Sequence, residues 1–396
     1  MYKRGFKNSR RKNKFRPKRS NGQGRRNIKT FDPTRIIQNL NELEAPEIKT
    51  HNPKNSFSSF AINHKIKSNI RARGFNLPTP IQDEAIPEIL AGKDVVGLAN
   101  TGTGKTAAFL IPLLTKALEN KRKNTLIIVP TRELAVQIED ELKWLAGGLK
   151  IFSAICIGGV SINGQISRLK RKPQFVIGTP GRLLDLNKQR KINFNQFSVV
   201  VLDEVDRMLD MGFVRDIEKM ISQLPHNRQS LFFSATLGRE VEEIMKRFTK
   251  NPVRISVKSN DMLANVKQEI VKVNGKSKPD TLRNLLEKQD FEKVLVFGRT
   301  KRGADKLFRD LADKGFKVAT IHGNKSQNQR QRALDQFKVG KVNILIATDV
   351  VARGIDVDDI SHVINYELPE SYEVYLHRIG RTGRAGKKGT AITFVD

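Results

Sequence analysis

The chain is predicted to be an α/β protein of two parallel-sheet lobes, and three observations carry that prediction. Short β-branched runs alternate with helical patterns from Ser56 onward, a rhythm that builds parallel sheets with helices on both faces. The alternation pauses once, in a polar segment at residues 257–267, and then resumes as a second set. The residues that can carry chemistry fall just after the strand runs, at the carboxyl ends where such sheets bind ligands. A length of 396 residues suits two domains of ordinary size.

Residues 1–54 form a basic tail that is expected to be disordered, with one short helix from Thr34 to Leu43. The first thirty residues hold thirteen Lys and Arg and no acid, a composition that cannot bury enough apolar surface to fold. Removing those thirteen charges from the net +31 leaves +18 on the rest. Such a balance points to a polyanionic partner, RNA or DNA, with the tail as a flexible tether for phosphates. Cys156 is the single cysteine, so no internal disulfide forms and a reducing compartment is implied. No Cys/His cluster has metal-ligand spacing, and no apolar run is long enough to span a membrane. Tyr2, Phe6, Phe15 and Ile28 form no helical stripe, which argues against an organelle transit sequence. The expectation is a cytoplasmic, monomeric protein without membrane attachment.

The first lobe is placed at residues 55–256. Ile62, Ile66 and Ile70 recur every four residues, with Gly74 as a stop. In Gly74-Phe75-Asn76-Leu77-Pro78-Thr79-Pro80-Ile81-Gln82 the two prolines fix an extended turn. They present Gln82, whose amide can donate and accept at once, as reading an adenine edge requires. Val95 to Leu98 is a strand. Thr125 to Val129 is another, followed by a helix with Leu134, Ile138, Leu142 and Leu145 on one face. Further strands are expected at Ile151 to Ile157, Phe175 to Ile177, Val199 to Leu202 and Leu231 to Phe233.

Residues 257–267 are read as the linker and 268–396 as the second lobe. Its strands are expected at Val294 to Phe297, Val318 to Ile321, Asn343 to Ala347, His362 to Asn365 and Ala391 to Val395. Ala304, Leu307, Phe308 and Leu311 mark a helix with Gly315 as its C-cap.

The stretch Ala99-Asn100-Thr101-Gly102-Thr103-Gly104-Lys105-Thr106 sits between a strand and a helix. Gly102 and Gly104 let backbone N–H groups close around phosphate oxygens, and the helix start adds its positive dipole end. Lys105 reaches the terminal phosphates and Thr106 offers a hydroxyl to Mg²⁺. Ala99 departs from the strict pattern, which has glycine there. The buried strand Val199 to Leu202 delivers Asp203, to hold Mg²⁺ through its water shell, and Glu204, to orient or deprotonate an attacking water. With the phosphate loop, the two acids point to nucleoside triphosphate hydrolysis.

The chain resembles the DEAD-box RNA helicases over residues 57 to 396. The likeness rests on Phe57, Gly74 to Gln82, Ala99 to Thr106, Pro130-Thr131-Arg132-Glu133-Leu134-Ala135, Gly158-Gly159, Thr179-Pro180-Gly181-Arg182, Asp203-Glu204-Val205-Asp206 and Ser234-Ala235-Thr236. It continues with Val296 to Thr300, His322-Gly323, Gln327 to Arg330, Ala347 to Val357 and His377 to Gly386. The ordered set is specific where each motif alone is not.

The resemblance implies two RecA-like lobes with an ATP cleft between them, and an ATP-dependent activity that opens short RNA duplexes or remodels RNA–protein complexes. Phe57 would stack on adenine and Gln82 read its edge, with Ala99, Thr101, Gly102, Thr103, Gly104, Lys105 and Thr106 around the phosphates and Asp356 on the ribose. Arg381 and Arg384 would be arginine fingers joining Lys105, Asp203 and Glu204 in catalysis. Asp206, Ser234 and Thr236 would couple hydrolysis to RNA, and Thr131, Arg132, Gly159, Thr179, Arg182, Thr300, Arg330 and Thr348 would hold the RNA backbone. Ribonucleoprotein partners follow from the same resemblance. An ATP-gated RNA clamp and a DNA translocase are the rival readings. Val205 stands where the family has alanine, and the chain stops at Asp396, where relatives usually continue into a helix, so the second lobe is expected to be truncated or less stable.

Overall fold

The computed structural model describes residues 52–100, 102–120, 124–257, 265–273, 275, 277–288, 291–352, 357, 359–383 and 387–395. Residues 1–51 of the basic tail, with the 34–43 helix, most of the linker, Thr101, Asp356 and Arg384 lie outside the described residues.

The first lobe opens with helices α1 (His64–Ala72) and α2 (Pro80–Leu90), then alternates β1 (Val95–Leu98), α3 (Lys105–Glu119), β2 (Thr125–Ile128), α4 (Arg132–Leu145), β3 (Ser153–Cys156), α5 (Ile162–Lys170), β4 (Phe175–Gly178) and α6 (Pro180–Lys188). It closes with β5 (Val199–Leu202), α7 (Val205–Asp210), α8 (Val214–Ile221), β6 (Gln229–Ser234), α9 (Arg239–Phe248) and β7 (Val253–Ser256). Seven strands pair in parallel in the order β3-β4-β2-β5-β6-β1-β7. The four-residue β-branched runs read as near-continuous apolar strands because both faces are covered. Helices α1 to α4 pack one face, and α5 to α9 pack the other.

The second lobe runs β8 (Val266–Lys272), α10 (Lys278–Lys288), β9 (Val294–Gly298), α11 (Lys301–Ala312), β10 (Val318–Ile321), α12 (Gln327–Lys338), β11 (Ile344–Thr348), α13 (Asp349–Ala352), β12 (His362–Asn365), α14 (Tyr372–Ile379) and β13 (Gly389–Val395). Its six strands are parallel in the order β10-β11-β9-β12-β13-β8.

Strand β8 begins at Val266, inside the polar segment read as linker. It is an edge strand in which Lys267 and Glu269 alternate with Val266, Gln268 and Ile270 and which ends on Lys272, so it carries little apolar signal. Ile62 lies before α1, where the Asn63 side chain caps by accepting from Lys65 N at 2.9 Å. Gly74, at φ +80°, stops that helix. Asp313 caps α11, and Gly315, at φ +84°, follows two residues later.

Candidate nucleotide and RNA site

The phosphate loop leaves β1 and enters α3 with Gly102 at φ +85° and Gly104 at φ +88°. The left-handed backbone favours glycine at Gly104, and a Cβ there would lie 2.4 Å from Gln82 Nε2 and displace that amide. Gln82 accepts from Thr79 N at 3.1 Å and donates to Gly104 O at 3.1 Å, tying the start of α2 to the loop. Each end of its amide keeps one valence for a base edge. The Lys105 side chain is buried, and its Nζ has no hydrogen-bond partner among the described residues. A buried ammonium without a partner is costly alone and fits phosphate oxygens.

Strand β5 brings Asp203 and Glu204 to the same end of the sheet, next to β6. Asp203 is 2 % exposed and accepts from Glu204 N at 2.9 Å. Burial pushes its carboxyl up to about 6; the Lys105 ammonium pulls the other way and the Glu204 charge adds to the rise. The loop lysine thus lies close enough to the strand-end acid for its charge to be felt there. Among the described residues no three His, Cys, Asp or Glu gather into a metal cage. A single carboxylate with a hydroxyl is a donor set that would suit a Mg²⁺ keeping most of its waters.

Glu204 adopts a left-handed conformation at φ +55° as it enters α7. Its Oε2 accepts from Arg207 Nη1 at 2.7 Å, both side chains being buried. Arg207 fixes one carboxylate oxygen and leaves the other for water. The sequence reading missed it, although its position three residues after Glu204 on a helix was a signal.

Asp206 is the hub of the site. Its Oδ2 accepts from Ala235 N at 3.1 Å, Thr236 N at 3.0 Å and Thr236 Oγ1 at 3.2 Å, while its Oδ1 accepts from Arg207 N at 3.0 Å. Ser234 Oγ donates to Thr236 O at 2.7 Å, and Ser234 O accepts from Ala99 N at 3.1 Å. The three residues expected to couple are brought into one network with both chemical motifs. Asp83 was missed: it accepts from Lys54 N at 2.8 Å and from Asn55 N and Nδ2, anchoring the segment ahead of Phe57. Phe57 itself is 7 % exposed and packs edge-on to Phe60.

The RNA candidates of the first lobe cluster at strand ends. Thr131 caps α4, accepting from Leu134 N at 3.2 Å, and Thr179 precedes α6. Arg132 lies against Gly158 and Gly159; a Cβ on Gly159 would meet Arg132 Nη1 at 2.1 Å, and its φ is +77°. Arg182 Nε is 3.7 Å from Asp185. In the second lobe Thr300 caps α11, accepting from Gly303 N at 3.0 Å, and Thr348 ends β11.

Arg330 makes a bond across the lobes. Its Nη2 donates to Glu133 Oε2 at 2.7 Å, and Gln327 Nε2 donates to Glu133 Oε1 at 3.0 Å, with Glu133 only 1 % exposed. Arg378, also missed, donates to both Asp349 oxygens at 2.6 and 2.7 Å and to Glu367 O at 2.6 Å, fixing the end of the helix that leads to Arg381. Arg381 is 2 % exposed, and its Nε donates to His377 O at 3.3 Å.

Two parallel-sheet lobes, a glycine loop with its lysine and a strand-end acid pair define a two-lobed nucleoside triphosphatase core. Residues 79–244 match the family model described as DEAD/DEAH box helicase, and residues 277–386 match the helicase conserved C-terminal domain. The chain is 46 % identical over 343 residues to the ATP-dependent RNA helicase CshA of Listeria monocytogenes, covering 86 % of this chain and 66 % of that one. It is 44 % identical over 342 residues to the DEAD-box ATP-dependent RNA helicase CshA of Bacillus subtilis, covering 86 % and 69 %. The chain thus spans about two thirds of the length of these curated relatives, and it belongs to the DEAD-box family. Saccharomyces cerevisiae Dbp5 bound to RNA and ADP BeF3 superposes with TM-score 0.76 at 32 % identity, over 86 % of this chain and 89 % of that one. A DEAD box protein from Methanococcus jannaschii superposes with TM-score 0.51 at 43 % identity, over 86 % and 93 %. Overall shape thus follows the RNA-bound relative better than the more similar sequence.

Proposed function

We propose that this chain is an RNA-stimulated ATPase that locally unwinds or remodels RNA duplexes and RNA–protein complexes in the cytoplasm, with Mg²⁺ as cofactor. The observation that carries it is the buried Lys105 ammonium, which has no hydrogen-bond partner among the described residues and whose charge acts on Asp203 at the strand end. The Gly102–Thr106 backbone and Lys105 bind the phosphates, and Glu204, held by Arg207, takes the proton from the attacking water. Thr106 and Asp203 would hold Mg²⁺, which when bound neutralises charge developing on the phosphate oxygens. Arg381, with Arg384, supplies fixed guanidinium groups to the same charge; such fingers are worth ~10³–10⁵ in rate. Asp206, through Ser234 and Thr236, carries the state of this site toward the RNA-facing residues.

The Glu133 bridge to Arg330 and Gln327 exists only when the lobes meet, so it acts as a latch of the closed state. Its presence supports closure as the step that ATP and RNA share. Thr131, Arg132, Gly159, Thr179, Arg182, Thr300 and Thr348 hold phosphates and sugars without reading sequence, and Arg330 contributes to that binding by holding the lobes together.

Steady-state ATPase with single-stranded RNA, against single-stranded DNA of equal length, tests the reading. Stimulation by RNA alone is expected. Equal stimulation by DNA would favour a DNA translocase, and ATP-dependent RNA retention without strand displacement would favour a clamp.

A further inference from the structure

Residues 150–198 hold nine Lys and Arg against a single acid, Asp185. That acid is accounted for by Arg182 at 3.7 Å and Gln189 at 2.9 Å. Helices α5 and α6 cover the same face of the first sheet, adding Ile162, Ile166 and Leu169 from one and Leu183, Leu184 and Leu186 from the other to a single apolar core. Both start at the RNA-facing edge, just after Gly159 and Thr179, and run to the opposite edge of the lobe. Each is nine residues long, which spans roughly 13 Å at 1.5 Å per residue.

Their far ends carry Lys170, Arg171 and Lys172, and Lys188, Arg190 and Lys191, all exposed and none in an ion pair among the described residues. The helix dipole accounts for Lys170 and Lys188 in the last turns. It does not account for Lys172 and Arg190, which lie past the helix ends at φ +50° and +54°. That left-handed position is where glycine fits without steric cost, yet both helices place a long cation there. Beside them, the Arg171 guanidinium lies 5.0 Å from the ring of Phe152, an exposed aromatic.

We propose that this corner is a second RNA contact, taking the phosphate backbone of a strand or flanking duplex after it leaves Gly159, Thr179 and Arg182. It rests on the RNA-binding reading above and extends the footprint down α5 and α6. The contact is sequence-independent, since it offers charge and one aromatic face and no arrangement that reads base edges.

The test uses the full chain and two variants: Lys172→Gly with Arg190→Gly, and the same pair with Lys170→Gln and Lys191→Gln added. The glycines relieve the left-handed strain, so melting temperature should not fall and any loss of binding is a loss of charge. Affinity for a short strand of ~8 nucleotides, enough for one single-strand site, and its stimulation of ATPase should be unchanged. Affinity for a long hairpin with a single-stranded tail should drop at least about tenfold at about 0.1 M salt in the fourfold variant, with the salt slope flattened by about 3. Unchanged long-RNA affinity and slope, with short-strand binding intact, would overturn this proposal alone. Failure of the parent chain to bind even the short strand would overturn the RNA reading and this proposal with it. Unchanged RNA affinity with lost binding to anionic phospholipid vesicles would overturn it in favour of a membrane surface.

Discussion

Glu133→Ala removes the acceptor at the lobe interface. Glu133 takes a charge-assisted bond from Arg330 at 2.7 Å and a second bond from Gln327 at 3.0 Å. The carboxylate is 1 % exposed and Arg330 is 9 % exposed, so the variant leaves a buried guanidinium without its partner. Breaking such a pair costs about 3–5 kcal/mol. Arg330 regains water when the lobes part, so most of the cost falls on the closed state. Taking about 3 kcal/mol and a tenfold change per 1.4 kcal/mol, RNA affinity in the presence of a non-hydrolysable ATP analogue should weaken on the order of 100-fold. RNA affinity without nucleotide, where the lobes are not held together, should change little. Fluorescence anisotropy with labelled single-stranded RNA reads both quantities. Analogue-dependent affinity within about twofold of the parent would refute the latch.

Glu204→Gln should bind ATP and RNA with near-parental affinity yet lose at least about 10² in kcat, the scale of general-base catalysis; normal turnover would remove Glu204 from the role. Asp206→Ala leaves the Ala235 and Thr236 amides without their acceptor, at about 1–3 kcal/mol each. Its ATPase should therefore respond weakly to RNA, and a parental stimulation ratio would break the coupling assignment. Asp203 has its folded-state carboxyl raised to about 6 from an ordinary 3.8, so the folded protein holds that proton more tightly than the unfolded chain. Stability is lost as pH rises through that window, and Asp203→Asn in chelator without nucleotide should be more stable at neutral pH by on the order of 2–3 kcal/mol. Scanning calorimetry would read a gain of about 4–10 °C at neutral pH that vanishes below about pH 4; a gain independent of pH would contradict it.

Much of the fold was legible because apolar runs buried on both faces leave a clear signature, as Val199 to Leu202 and Val294 to Phe297 do. Strand β8 was not, because an edge strand with Lys267, Glu269 and Lys272 looks like linker. Within the site, the phosphate loop and the acid pair were legible from residue type and spacing. The residues that hold them were not: Arg207, Asp83 and Arg378 act through buried side-chain bonds to residues whose proximity the fold creates. Gln82 shows the same limit, since sequence suggested a base reader and folding also makes it the strut between Thr79 and Gly104. Arg330 shows it most clearly, as its partner Glu133 lies 197 positions away on the other lobe.

If ATP and RNA favour one closed arrangement, linkage makes their coupling reciprocal. The most direct measurement is the RNA Kd with and without a non-hydrolysable ATP analogue, paired with the analogue Kd with and without single-stranded RNA. Each ligand should tighten the other by the same factor, about 5–150-fold. Independent binding, with both factors near one, would contradict the account.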